Sequence, residues 1–105
     1  MSTEQPIQEL HIDAIELRKA ALVYRSINHT LRQQMLRLIH EKGKITVTEL
    51  YIKLRLEQSV ASQHLAILRR SALVIAERRA KNIFYAVNYS RLDQLHTFTA
   101  YLLNN

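Results

Sequence analysis

Between Ile7 and Tyr24 apolar residues return in alternating steps of three and four: Ile7, Leu10, Ala14, Leu17, Ala21, Tyr24. That stripe predicts an amphipathic helix over 7–27. Ile12, Ile15, Leu22 and Val23 widen the apolar band beyond what a surface helix of a small domain needs. A second surface is therefore expected to cover it, most simply another copy of the chain. Residues 1–6 are polar and expected to fray. Asn28-His29-Thr30 interrupts the stripe, and Thr30-Leu31-Arg32-Gln33 has the form of a capping box opening a second helix. Its buried side is read as Leu31, Met35, Leu36, Leu38 and Ile39. Gly43, the single glycine, stands where a left-handed residue ends a helix.

The pattern then shortens. Ile45 is expected in extended conformation, and Thr46-Val47-Thr48-Glu49 is a second capping box. It opens a short helix with Val47, Leu50, Tyr51 and Leu54 inward. Arg55-Leu56 makes a tight connection to a further helix over 58–70. Residues 73–79 and 82–88 are rich in β-branched and aromatic side chains around a basic tip, which predicts a hairpin. Ser90-Arg91-Leu92-Asp93 is read as the cap of a last helix over 90–103. Its Leu92, Leu95, Phe98 and Leu102 again exceed one core face. The order is α-α-α-α-β-β-α: a mostly α chain with a small β-hairpin, a winged helix-turn-helix with the helix-turn-helix at 46–70 and the wing at 73–88. The expected homodimer uses Leu10, Ala14 and Leu17 of the first helix with Leu95, Phe98 and Leu102 of the last.

Composition narrows this further. A length of 105 residues allows one domain over 1–105, and 48% apolar residues suffice to fold it. The single Gly and single Pro fit long helices, and the absence of Cys excludes disulfides and thiolate metal sites. No apolar run approaches membrane-spanning length and the N-terminal stretch does not read as a leader, so a cytoplasmic protein with no membrane partner is expected. Fifteen Lys and Arg against nine Asp and Glu give a net charge of +6. That excess favours a polyanionic partner, since phosphate contacts release counterions from nucleic acid.

On a helix over 58–70, Ala61, Leu65 and Leu68 form one apolar line with Ile67 beside it. Ser59, Ser62, Gln63 and Ala66 occupy the opposite side, followed by Arg69 and Arg70. Short uncharged hydrogen-bonding groups suit close approach to base edges in a major groove. Gln pairs with adenine, Ser donates or accepts, and Val60 can touch a thymine methyl. A polar solvated face is the plain alternative; the neighbouring short helix and basic hairpin favour recognition of double-stranded DNA. Gln58, Ser59, Ser62 and Gln63 are the expected base readers. Thr46, Thr48 and Arg69 are expected to hold phosphates, and Arg78, Arg79 and Lys81 to reach backbone or minor groove from the wing.

"NHTLRQQMLRLI", "TVTELYIKLRLEQSVASQHLAILRRSALV" and "RRAKNIFYAV" resemble the successive signatures of the ArsR-type (arsenic-repressor-like) bacterial winged-helix repressors. The resemblance spans about Ile27 to Val87. It implies a homodimer through the first and last helices, a recognition helix at 58–70 and a wing at 76–85. The expected function is a homodimeric transcriptional regulator, a repressor, that binds a pseudo-palindromic operator. Two glycines usual in the family, before the wing and at its tip, are Ala72 and Ala80 here, which puts the usual turn geometry in question. The usual Ser at the start of the recognition helix is Glu57, a weaker cap.

Many relatives sense metals through Cys pairs; the matching Leu50–Leu54 stretch has no thiol and carries Lys53. Another family site uses carboxylates and His on the last helix across the dimer, where Asp93 and His96 are available here; a site improvised from His11 and Asp13 with His96 of the partner subunit is the metal-responsive alternative. Solvated or hydrogen-bonded interface roles are the plainer reading, so no metal or cofactor is expected and any effector is left open. His64 either touches DNA or packs inward. With no phosphate loop, nucleophile elbow or paired-carboxylate motif, no enzyme is expected. The alternative of another class is a winged-helix module whose basic face binds an acidic protein.

Overall fold

A computed structural model describes residues 8–104. The expected fraying of residues 1–6, and Ile7 with it, falls outside that range. Helices α1 (Ala14–Ile27) and α2 (Thr30–Lys42) lead into strand β1 (Ile45–Thr46). Helices α3 (Val47–Leu54) and α4 (Gln58–Arg70) follow, then strands β2 (Val74–Arg79) and β3 (Asn82–Val87), and helix α5 (Tyr89–Leu103). This is the expected winged helix-turn-helix, with one addition. Ile45 and Thr46 pair with Tyr85 and Phe84, so the hairpin becomes a three-stranded antiparallel sheet of order β1-β3-β2.

The core sits where α2, α3, α4 and the sheet meet. Met35, Ile39, Ile45, Leu50, Leu65, Leu68 and Leu73 are fully buried there, with Ala61, Val74 and Val87. At roughly 1.5–3 kcal/mol per large buried side chain, this cluster dominates the stability of the middle of the chain. It also fixes α4, whose buried line holds one face of the helix down.

Helix boundaries follow the caps. α1 begins at Ala14 rather than Ile7, because the Asp13 carboxylate accepts from the backbone N–H of Ile15 and Glu16 at 3.0 and 3.1 Å. That acceptor satisfies orphan donors, which an apolar stripe cannot do, and residues 8–12 of the stripe lie upstream outside any helix. The Thr30 capping box does not form. His29 occupies the cap position without a side-chain bond, and Gln33 Nε2 instead donates to the Ile27 carbonyl at 2.9 Å, closing the end of α1. Ser90 likewise lies inside α5, where Asn88 is the cap and accepts from Arg91 N–H. The Thr46–Glu49 box forms in both directions.

The two departures from glycine leave the turns intact. Ala72 and Ala80 take φ of 60° and 56°. After α4 the Leu73 N–H bonds the Leu68 carbonyl and the Ala72 N–H bonds that of Arg69, both at 2.9 Å, which is a Schellman closure with alanine in the glycine position. Leu68 and Leu73, both fully buried, supply its usual apolar contact. Arg55, at φ 55°, closes α3 in the same way.

Candidate nucleic-acid interface

The α4 surface divides as the sequence predicts. Ala61, Leu65 and Leu68 are buried, while Gln58, Ser59, Ser62, Gln63, Ala66, Arg69 and Arg70 are exposed. Positions three and four apart stack on one face, so Ser59, Ser62, Gln63 and Ala66 form a continuous patch of small and amide side chains. Val60 is half-buried at its edge. Glu57 is the N-cap residue but makes no side-chain bond to the helix.

An open groove of about 420 Å³ runs beside this patch, lined by Val47, Ser62, Ala66, Arg69 and Arg70 on the helices and by Tyr85 from β3. Tyr85 is absent from the sequence-predicted set. Its signal was there, since it lies two residues from inward Val87 on the same face of β3, but which helix it faces needed the fold. Thr48 is exposed at the start of α3. Thr46 is half-buried, and its hydroxyl already accepts from Glu49 N–H at 3.2 Å and lies 3.1 Å from the Glu49 carboxylate. A phosphate would compete with that cap.

The wing cations part company. Strand pairing puts Val74↔Val87, Ala76↔Tyr85 and Arg78↔Ile83 on one face of the hairpin. Ile75↔Ala86, Glu77↔Phe84 and Arg79↔Asn82 share the other. Arg78 therefore continues the inward line toward the tip, whereas Arg79 points outward. There Arg79 Nε donates to Glu77 at 3.3 Å, and Lys44 approaches the same carboxylate at 3.8 Å. All three groups are about half exposed or more, so these pairs are weak and easily exchanged for phosphate. Lys81 is exposed at the tip.

A buried polar clip joins α4 to both terminal helices. Ser26 Oγ on α1 donates to the Leu22 carbonyl at 2.8 Å, which uses its proton, so Ser71 donates to Ser26 across 2.6 Å. Arg91 on α5 donates to the Ser71 carbonyl at 3.1 Å, and Asn88 to that of Ala72 at 2.8 Å. None of these partners was legible from spacing.

The predicted self-association residues lie away from this surface. Leu10, Leu17, Phe98 and Leu102 are 83%, 59%, 56% and 58% exposed. Ala14 is exposed too, while Leu95 is half-buried against the core. The terminal helices of one chain meet through Tyr24 and Thr99, whose hydroxyls are 3.0 Å apart. Of the residues considered for a metal, the Asp13 carboxylate is engaged as a helix cap and His11 lies 3.8 Å from Glu9. Among the described residues of one chain, no three His, Cys, Asp or Glu gather as a metal site.

The bacterial regulatory protein description of the arsR family matches residues 30–76. The chain is also 34% identical over 103 residues to the biofilm growth-associated repressor of Agrobacterium fabrum, covering 90% of this chain and 87% of that one. The chain belongs to the arsR family. It is thus a DNA-binding transcription regulator and not an enzyme. A second relative, the transcriptional activator HlyU of Vibrio cholerae, is 36% identical over 77 residues, 73% of this chain and 70% of that protein. Among solved structures, the homodimeric winged helix-turn-helix DNA-binding domain from Mycobacterium bovis superposes with a TM-score of 0.72. It is 20% identical over 94% of this chain and 91% of that one, a likeness of fold. Within the described residues, no helix is long and apolar enough to cross a membrane.

Proposed function

We propose that this arsR-family chain is a cytoplasmic homodimeric repressor that reads a pseudo-palindromic duplex through the Ser59, Ser62 and Gln63 side of α4. The observation that carries the reading is the division of α4. Its apolar line is fully used inside the chain, while small polar side chains, unlike the charged groups that usually cover a surface helix, face out beside basic Arg69 and Arg70. Gln58, Ser59, Ser62 and Gln63 take the base-reading role. Thr48 and Arg69 hold phosphates, joined by Thr46 if its capping bond yields. Arg78, Arg79 and Lys81 present charge on both sides of the wing tip.

Self-association is supported by the terminal helices. Leu17, Phe98, Tyr101 and Leu102 expose more apolar surface than a monomer of this size normally leaves in water. The radius of gyration, 18.5 Å, compares with about 13 Å for a compact chain of this length. Two copies paired through α1 and α5 would cover that surface and set two α4 helices for two half-sites. The choice of repressor follows the Agrobacterium fabrum relative, aligned over more of the chain than the Vibrio cholerae activator.

Selection from a random duplex pool, followed by footprinting and sedimentation of the bound species, tests the proposal. The expected result is a protected two-fold site carrying two chains. Protection of no discrete site would contradict it and favour an acidic protein as the partner of the basic face.

A further inference from the structure

A second set of contacts runs from the end of α1 to the middle of α4, separate from the Ser26–Ser71 bond. Arg32 on α2 lays its guanidinium over the last carbonyls of α1, with Nη1 donating to Ser26 at 3.0 Å and to Arg25 at 3.4 Å. Its Nε donates to His64 Nδ1 at 3.3 Å. His29, at the α1–α2 junction, rests tilted on the His64 ring at a centroid distance of 5.0 Å. The His29 Nδ1 is itself buried without a hydrogen-bond partner. His64 is half-buried and adjoins Gln63. In the unliganded chain it packs against Arg32 and His29, the inward of the two roles the sequence left open.

This brace is conditional. An arginine only donates, so Nδ1 must accept, which requires a neutral ring with its proton on Nε2. A proton on Nδ1 would remove the acceptor and set a second cation against the guanidinium. We propose that Arg32 and His64 are positioning residues for DNA reading: with the His64 ring neutral they hold α4 at its working angle, and protonation releases it and weakens DNA binding. This rests on α4 being the recognition helix.

The groups that face the ring favour its neutral form. Arg32 approaches from α2 and His29 from the junction, and α1 offers Arg32 only backbone carbonyls. The His64 pKa lies below the ordinary 6.5, first through burial, then through His29 and Arg32. The sign follows: above the ordinary value the neutral ring carries no penalty. As pH falls below it, states with a released ring take up a proton more readily than the braced state, and the brace is lost progressively. Acid otherwise strengthens DNA binding by adding positive charge, so the predicted direction is opposite to the default.

The test compares the wild type with His64→Gln, which keeps an acceptor but does not titrate. Fluorescence anisotropy with the selected duplex is run at fixed salt at about pH 7.5 and about pH 5.5, spanning the imidazole range. Relative to the variant, the wild type should lose about three- to tenfold in affinity on acidification, the worth of one hydrogen bond. Equal pH dependence in both proteins, or a greater gain in the wild type, overturns the proposal. Amide exchange of the unliganded wild type, corrected for intrinsic rates, needs neither variant nor DNA. Protection over Ala61–Leu68 should fall in acid while that of Met35–Ile39 holds; a uniform change, or none, overturns the brace. Failure to bind any duplex at neutral pH would count against α4 as the recognition helix, and the exchange result would still decide the brace.

Discussion

The middle of the chain and its two terminal helices solve the burial problem in opposite ways. From α2 to β3 each element turns an apolar line inward, and Leu50, Leu65 and Leu68 are fully covered by the same chain. Along α1 and α5 a second set of apolar residues points out: Ile15, Leu17, Phe98 and Tyr101 are each more than half exposed. Ile52, Ile75 and Ile83 are exposed on α3 and the hairpin, but on α4 every large apolar side chain is at least half-buried, and its outward face is the Ser/Gln patch with Ala66. At the ends, the exposed apolar side chains form the surface proposed above for self-association. An open cleft of about 1170 Å³ between α1 and α5, lined by Val23, Tyr24, Leu95, Phe98 and Tyr101, lies along that surface.

Substitution can break this contrast. Leu68→Ala removes a fully buried side chain and should cost about 2–5 kcal/mol in denaturant unfolding. Phe98→Asp should instead shift the sedimentation equilibrium toward monomer by about 2 kcal/mol or more, the scale of an interface anchor. A Phe98→Asp chain that sediments like the wild type would remove the distinction between the two regions.

A smaller effect sharpens the account of the turns. Ala72 and Ala80 occupy left-handed backbone that glycine adopts without strain. Ala72→Gly or Ala80→Gly should therefore raise stability by about 0.5–1 kcal/mol, read as a higher unfolding midpoint. Lower stability in both variants would mean that the alanine methyl groups contribute packing that outweighs the strain.

The same contrast explains how much was legible in the sequence. The α4 faces, the Thr46–Glu49 box and the hairpin were readable because each depends on residues within a few positions. The start of α1 was misread because apolar periodicity continued through Leu10, whereas the Asp13 carboxylate sets the boundary. Thr30 and Ser90 looked like caps, but His29 and Asn88 stand at those positions. Gln33 was drawn to the Ile27 carbonyl, a tertiary choice that spacing does not encode. Long-range polar contacts such as Ser26–Ser71 and Arg32–His64 left no periodic trace. The opposite directions of Arg78 and Arg79 became visible only with the strand register.

Base reading by the Ser/Gln side of α4 stands or falls on an anisotropy titration of Gln63→Ala against the selected duplex and a mismatched one, with Arg79→Ala as comparator. Gln63→Ala should lose about 1–3 kcal/mol of discrimination between the two duplexes. Arg79→Ala should weaken both alike and flatten the salt dependence. Unchanged affinity and unchanged site preference in Gln63→Ala would contradict the claim.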